Sequence, residues 1–130
     1  MAYLYYNPNP CKVNVGDCAI RALSKALNVS WKEAYRLACE KGYEQCDMPS
    51  SDAVTSTILQ QNGFRKSEIP FTRAYTIQEF CRDNPFGLFV IYTGGHVVTV
   101  EDGNIYDLWD SSKLRPFSVW YYDERPNYPM

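Results

Sequence analysis

The sequence predicts an α+β domain, helices first and sheet afterwards, and three observations carry that reading. Helix-capping residues recur from Asp17 to Thr76. From Leu88 onward the chain runs through β-branched and aromatic stretches. Between two of those stretches lies an Asp102-Gly103 dipeptide, a tight-hairpin signal. Helices followed by a meander is the α+β order, not the alternating α/β one.

Each element has its own reason. Asp17 caps a predicted helix from Cys18 to about Leu27, with Ile20, Leu23, Ala26 and Leu27 on one face. Ser30-Trp31-Lys32-Glu33 is a capping box opening a second helix, which Gly42 is expected to end. Ser50 or Ser51 starts a third, striped by Val54, Ile58 and Leu59 and stopped by Gly63. Thr76-Ile77-Gln78-Glu79 is another capping box, and its short helix must end before Pro85. Leu88 to Tyr92 reads as a strand closed by Gly94-Gly95. His96 to Val100 is the next strand, Ile105 to Trp109 returns from the hairpin, and Pro116 to Tyr122 reads as one more.

Composition bounds the function. The 130 residues make one domain, 1–130, large enough to bury roughly two-thirds of its unfolded surface without a metal or disulfide. Thirteen basic against fifteen acidic side chains leave a net charge of -2, so no basic field exists to neutralise phosphates, which argues against nucleic acid as a partner. The longest apolar stretch, Gly87 to Tyr92, is far too short to span a bilayer, and Met1 to Tyr6 lacks the pattern of a signal peptide. A cytoplasmic protein without a membrane partner is the expectation. Five cysteines, Cys11, Cys18, Cys39, Cys46 and Cys81, form an odd set with no Cys-x-x-Cys pair, which suits a reducing compartment. With one histidine and no ligand spacing, neither a zinc site nor a metal-dependent hydrolase is supported, and no cofactor is expected.

One pairing carries chemistry. Cys18 stands at the first turn of a predicted helix, and the single histidine, His96, opens a predicted strand. A thiol reacts as thiolate, and its free pKa of about 8.5 leaves little of that form at neutral pH. A helix N-terminus supplies positive potential, and a neighbouring imidazole takes the proton. Alone, a cysteine at a helix start is most often a small buried hydrophobe, and a lone histidine is usually structural. Together, in the order Cys, His, Asp, they match a triad.

The imidazole needs a carboxylate on its other nitrogen. A two-residue turn at Asp102-Gly103 puts Trp109 opposite His96 and Asp107 diagonally adjacent on the same face. One extra turn residue makes Asp110 the neighbour instead. The Asp-Gly dipeptide favours the shorter turn and Asp107, with Asp110 the alternative. Asp110-Ser111-Ser112 also reads as a capped turn.

Val15-Gly16-Asp17-Cys18-Ala19-Ile20-Arg21-Ala22-Leu23, Gly95-His96-Val97-Val98-Thr99-Val100 and Ile105-Tyr106-Asp107-Leu108-Trp109-Asp110-Ser111 together resemble the papain-like cysteine peptidase superfamily. The likeness is closest to small bacterial, prophage and phage proteins similar to the bacteriocin-leader peptidases, and runs from Tyr5-Tyr6-Asn7-Pro8 to near Tyr122. It implies N-terminal helices, with the nucleophile at a helix start, packed on a C-terminal antiparallel sheet. It further implies Cys18 as nucleophile, His96 as base and Asp107 (or Asp110) as orienting acid. The family often places a Gln a few residues before the nucleophile to bind the oxyanion. No Gln lies there, and Asn14, four residues upstream, is the candidate in its place.

Two functions follow as expectations. The first is a thiol hydrolase, a cysteine peptidase or isopeptidase acting on a peptide or protein through an acyl-enzyme. The alternative is a phage or prophage accessory protein, in host cytoplasm or virion, that uses the same fold to bind a host or phage protein. Trp109, Trp120, Tyr121, Tyr122 and Tyr106 are read either as the lining of a peptide groove or as core and edge residues. Arg21 is read as a solvated or ion-paired side chain.

Overall fold

A computed structural model describes residues 2–69 and 74–123. In chain order the elements are β1 (Ala2–Tyr5), α1 (Cys18–Leu27), α2 (Trp31–Gln45), α3 (Asp52–Gln61), β2 (Phe64–Glu68), α4 (Ile77–Asp83), β3 (Leu88–Tyr92), β4 (Val97–Glu101), β5 (Asn104–Asp107) and β6 (Ser118–Tyr122). The chain is α+β, as its sequence predicts: four helices and a six-stranded sheet of order β1-β5-β4-β3-β6-β2 among the described residues.

Three helices start where side-chain caps demand. Ser30 Oγ accepts from Glu33 N, Ser51 Oγ from Val54 N, and Thr76 Oγ1 from Glu79 N. The first helix begins at Cys18 as expected, but Asp17 makes no side-chain cap. Its carboxylate is spent elsewhere, on Arg21 and Trp31. The second helix runs through Gly42 and ends at Gln45, where Cys46 turns left-handed at φ 56°. Gly42 serves packing instead: a Cβ there would lie 2.8 Å from the carbonyl oxygen of Asp47.

The sheet departs from the expected antiparallel one. β1 adds in parallel beside β5, pairing Tyr5 with Asp107, so the sheet is mixed. β2 adds to the opposite edge against β6. Neither strand carries a readable pattern. β2 is Phe64-Arg65-Lys66-Ser67-Glu68 with only Phe64 buried, and β1 is largely exposed. Edge strands of this kind owe their place to ladder hydrogen bonds and charged side chains more than to an apolar face.

The interior strands are buried on both faces. α1, α2 and α3 cover one face, where Leu23, Ala34, Val54 and Leu59 meet Val90, Tyr92, Val97 and Trp120. α4 covers the other with Ile77, Phe80 and Cys81, against Ile91, Val98, Val100, Ile105 and Val119. Neighbouring residues therefore face opposite clusters, as the period-2 alternation of a strand requires. Trp120 belongs to the core, whereas Trp109 and Tyr122 are exposed. Thr99 Oγ1 donates to the carbonyl of Ala22 at 2.7 Å, buried, and so ties α1 to β4. That bond joins the middle of α1 to the middle of β4. No helix among the described residues is long and apolar enough to cross a membrane.

Candidate active site

Local chemistry places each member of the site. Cys18 is the first residue of α1, where backbone N–H groups lack intrahelical acceptors and the helix dipole is positive. His96 lies one residue before β4, as the last residue of the four-residue connection Thr93-Gly94-Gly95-His96 from β3. Its carbonyl accepts from both Thr93 N and Thr93 Oγ1, each at 2.9 Å. The backbone on either side of the imidazole is thus fixed. Asp107 ends β5, and its carbonyl accepts from Tyr6 N at 2.8 Å and Tyr3 Oη at 3.2 Å, both delivered by the β1 segment.

The hairpin register decides between the two candidate acids. β4 and β5 pair Thr99 with Tyr106, Val100 with Ile105 and Glu101 with Asn104, the register of the two-residue Asp102-Gly103 turn. Asp107 Oδ2 then lies 2.6 Å from His96 Nε2. Asp110 is exposed and does not touch the imidazole; its carboxylate accepts from Ser112 N at 3.0 Å, capping a turn. The imidazole and the Cys18 thiol line one cleft and influence each other's proton affinity; with Nε2 committed to Asp107, Nδ1 is the ring nitrogen left to serve the sulfur. Trp109 lies over the imidazole with ring centroids 4.8 Å apart.

Asp107 is 1% exposed, and every acceptor position is used. Oδ1 takes Leu108 N at 2.8 Å and Arg21 Nη2 at 3.1 Å, while Oδ2 takes Ser111 Oγ at 2.8 Å besides His96. Arg21 is itself 5% exposed and forms a second ion pair with Asp17, whose other oxygen accepts from Trp31 Nε1 at 2.8 Å. One guanidinium thus faces two buried carboxylates. The imidazolium form of His96 supplies the second positive charge.

Proton affinities follow from this arrangement. Burial pulls His96 down, but the hydrogen bonds to Asp107 and Cys18 and their charges outweigh it and push the imidazole up to about 9. Burial works against the Cys18 thiolate. The hydrogen bonds from His96 and from the Val97 backbone, with the charges of His96 and Arg21, overcome it and hold the thiol below its ordinary value. Burial likewise opposes the Asp107 carboxylate, and His96 and Ser111 together bring it below the usual range. Both shifts at the sulfur–imidazole contact favour thiolate beside imidazolium.

A cleft of about 160 Å³ opens at Cys18, its lining including Gly94 and Gly95 of the β3–β4 connection and Ser50 and Asp52 from around the start of α3. Asn14 is exposed in the loop before α1 and does not line that cleft. The upstream asparagines Asn7 and Asn9 are buried in turns, where Asn7 Oδ1 accepts from Asn9 N and Asn9 Oδ1 from Cys11 N. Cys18, as the first residue of α1, has a backbone N–H with no intrahelical acceptor. Sequence reasoning brought Cys18, His96 and Asp107 together but missed the joint role of Asp17 and Arg21. The i, i+4 spacing of an acid and a base on α1 was the available signal.

No group of three or more metal-ligating side chains occurs among the described residues. Compared with protein-family models, with curated proteins and with solved structures, the chain matches none of them.

Proposed function

We propose that the chain is a thiol hydrolase of papain-like fold, a cysteine peptidase or isopeptidase that cleaves an amide through an acyl-enzyme. The observation that supports it is the meeting of Cys18 and His96 in one cleft, with the imidazole held 2.6 Å from a buried Asp107. The likeness of the Gly-Asp-Cys turn and the His-strand hairpin to that superfamily agrees with it.

In the proposed reaction the Cys18 thiolate attacks the substrate carbonyl carbon. The oxyanion that forms is met by the Cys18 backbone N–H and the positive end of α1. His96, protonated on Nδ1, gives that proton to the departing amine as the C–N bond breaks and the thioester remains. Water, deprotonated by the same nitrogen, then releases the acid and restores the thiol–imidazole pair. Asp107 holds the ring in place and balances its positive charge throughout.

The test is the pH dependence of Cys18 alkylation by iodoacetamide, resolved by site with mass spectrometry, in wild type and His96→Ala. Labelling that persists well below pH 7 and slows at that pH when His96 is removed is expected. A Cys18 that labels like a free thiol and ignores His96 would overturn the hydrolase reading and leave the binding-protein alternative.

A further inference from the structure

The walls of the cleft identify the kind of substrate it takes, granted the thiol-hydrolase reading above. Pockets that bury a drug-sized ligand usually span roughly 300–1,000 Å³. The cleft at Cys18 holds about 160 Å³, room for a main chain and a small side chain. One wall is nearly bare backbone. Gly94 sits at φ +95°, and a Cβ there would come within 2.6 Å of the Phe117 ring, so no side chain is accommodated. At Gly95 a Cβ would meet nothing within 4 Å, leaving space beside the sulfur. Neither glycine's peptide group is engaged by a backbone hydrogen bond among the described residues, so both are open to an extended chain.

The Ser50 and Asp52 part of the lining is polar and charged, and follows a hydrogen-bonded loop. The loop from Cys46 to Ser51 is braced by Asp47, whose carboxylate accepts from Met48 N at 2.7 Å and from Ser51 Oγ at 2.9 Å. Asp47 N donates to the Gly42 carbonyl at 2.9 Å, and Gly42 lets the loop backbone sit directly on α2. This brace presents Ser50 and Asp52 to the cleft. Asp52 is exposed, and its carboxylate has no ion pair or hydrogen bond with another described residue. Among the described residues it is the only carboxylate lining the cleft. Its negative charge adds to burial in keeping the Tyr92 phenol on the cleft floor protonated.

We propose that Asp52 is a specificity determinant that selects a polypeptide with a small residue at the scissile bond and a cationic side chain, Lys or Arg, next to it. The Gly94-Gly95 wall takes the main chain, the narrow space beside Cys18 takes the small residue, and Asp52 pairs with the cation.

Acyloxymethyl ketone probes test this, since they bond to Cys18 and need no known substrate. Three carry Gly beside the ketone and then Lys, Leu or Glu; a fourth carries Leu beside the ketone and then Lys. Rates of Cys18 labelling, as kinact/KI at low salt and pH 7, are compared in wild type, Asp52→Asn and Asp52→Lys. The ratio of two probes on one protein cancels any change in thiolate content. Wild type is expected to prefer Lys over Glu by about fivefold, the preference an exposed ion pair supports. The ratio should fall toward one in Asp52→Asn and invert in Asp52→Lys, and the Gly-Lys probe should outpace the Leu-Lys probe. A Lys preference that is absent, or that survives in Asp52→Asn, overturns the proposal while rapid labelling leaves the hydrolase reading standing. Slow labelling by all probes, together with His96-independent alkylation, overturns both.

Discussion

Arg21 reaches from the second turn of α1 to the end of β5, where its Nη2 lies 3.1 Å from Asp107 Oδ1, on the side of the carboxylate away from His96. The helix that carries the candidate nucleophile therefore also holds the acid that orients the candidate base. Asp17, Cys18 and Arg21 lie within five consecutive residues, so one short stretch supplies both the candidate nucleophile and the support of the acid.

This geometry predicts a large cost for removing the guanidinium. In Arg21→Met, two buried carboxylates lose their shared cation, and a broken buried pair of this kind costs about 3–5 kcal/mol. Arg21→Lys keeps the charge but cannot fork to both acids, and should fall between that variant and wild type. Urea unfolding at pH 7 measures both. A methionine variant within about 1 kcal/mol of wild type would show that the charges are relieved in another way.

The single histidine makes its titration unambiguous by proton NMR. His96 is expected to titrate at about 9 in wild type. In Asp107→Asn it should drop toward the ordinary imidazole value of about 6.5, and in Asp110→Asn it should stay where it was. The sign for stability follows. Because the folded pKa is raised, the His96–Asp107 contribution is complete below the unfolded value near 6.5 and fades as pH rises to about 9. The Asp107 carboxylate, lowered on folding, contributes above its unfolded value and loses that contribution as acid protonates it. The stability gap between wild type and Asp107→Asn should therefore be widest at weakly acidic pH. A gap that grows above pH 9 would contradict this assignment.

The two glycines of the β3–β4 loop should respond oppositely to alanine. Gly94→Ala combines a left-handed φ of +95° with a contact of 2.6 Å to Phe117, and backbone strain alone costs about 1–3 kcal/mol. Gly95→Ala meets nothing within 4 Å and should melt near the wild-type temperature. Thermal unfolding of the pair separates strain from composition. Equal losses would mean that the loop tolerates no side chain at either position.

The helices were the most legible part of the fold, because their signals are local. A Ser or Thr oxygen bonding an amide three residues on depends on nothing distant, and Ser30, Ser51 and Thr76 all cap as their sequences suggest. Where a local signal failed, a tertiary partner had outbid it. Asp17 has the chemistry of a cap but serves Arg21 and Trp31, and Gly42 has the chemistry of a stop but serves the Asp47 loop. The edge strands β1 and β2 left no trace in the pattern, since their pairing is with β5 and β6 and not with their own neighbours.

For the site, the sequence by itself determined the reactive residue types, the helix start under Cys18 and the hairpin that carries His96 and Asp107. The Asp-Gly turn even chose Asp107 over Asp110, because a two-residue loop admits a single register. Only the tertiary structure decided that α1 meets β4 near Cys18 and His96, that the β1 segment clamps the Asp107 backbone, and that Asp52 lines the same cleft as Cys18. Those relations join residues far apart in the chain. They are set by how two buried faces of one sheet pack against separate helices, and no spacing along the sequence records that.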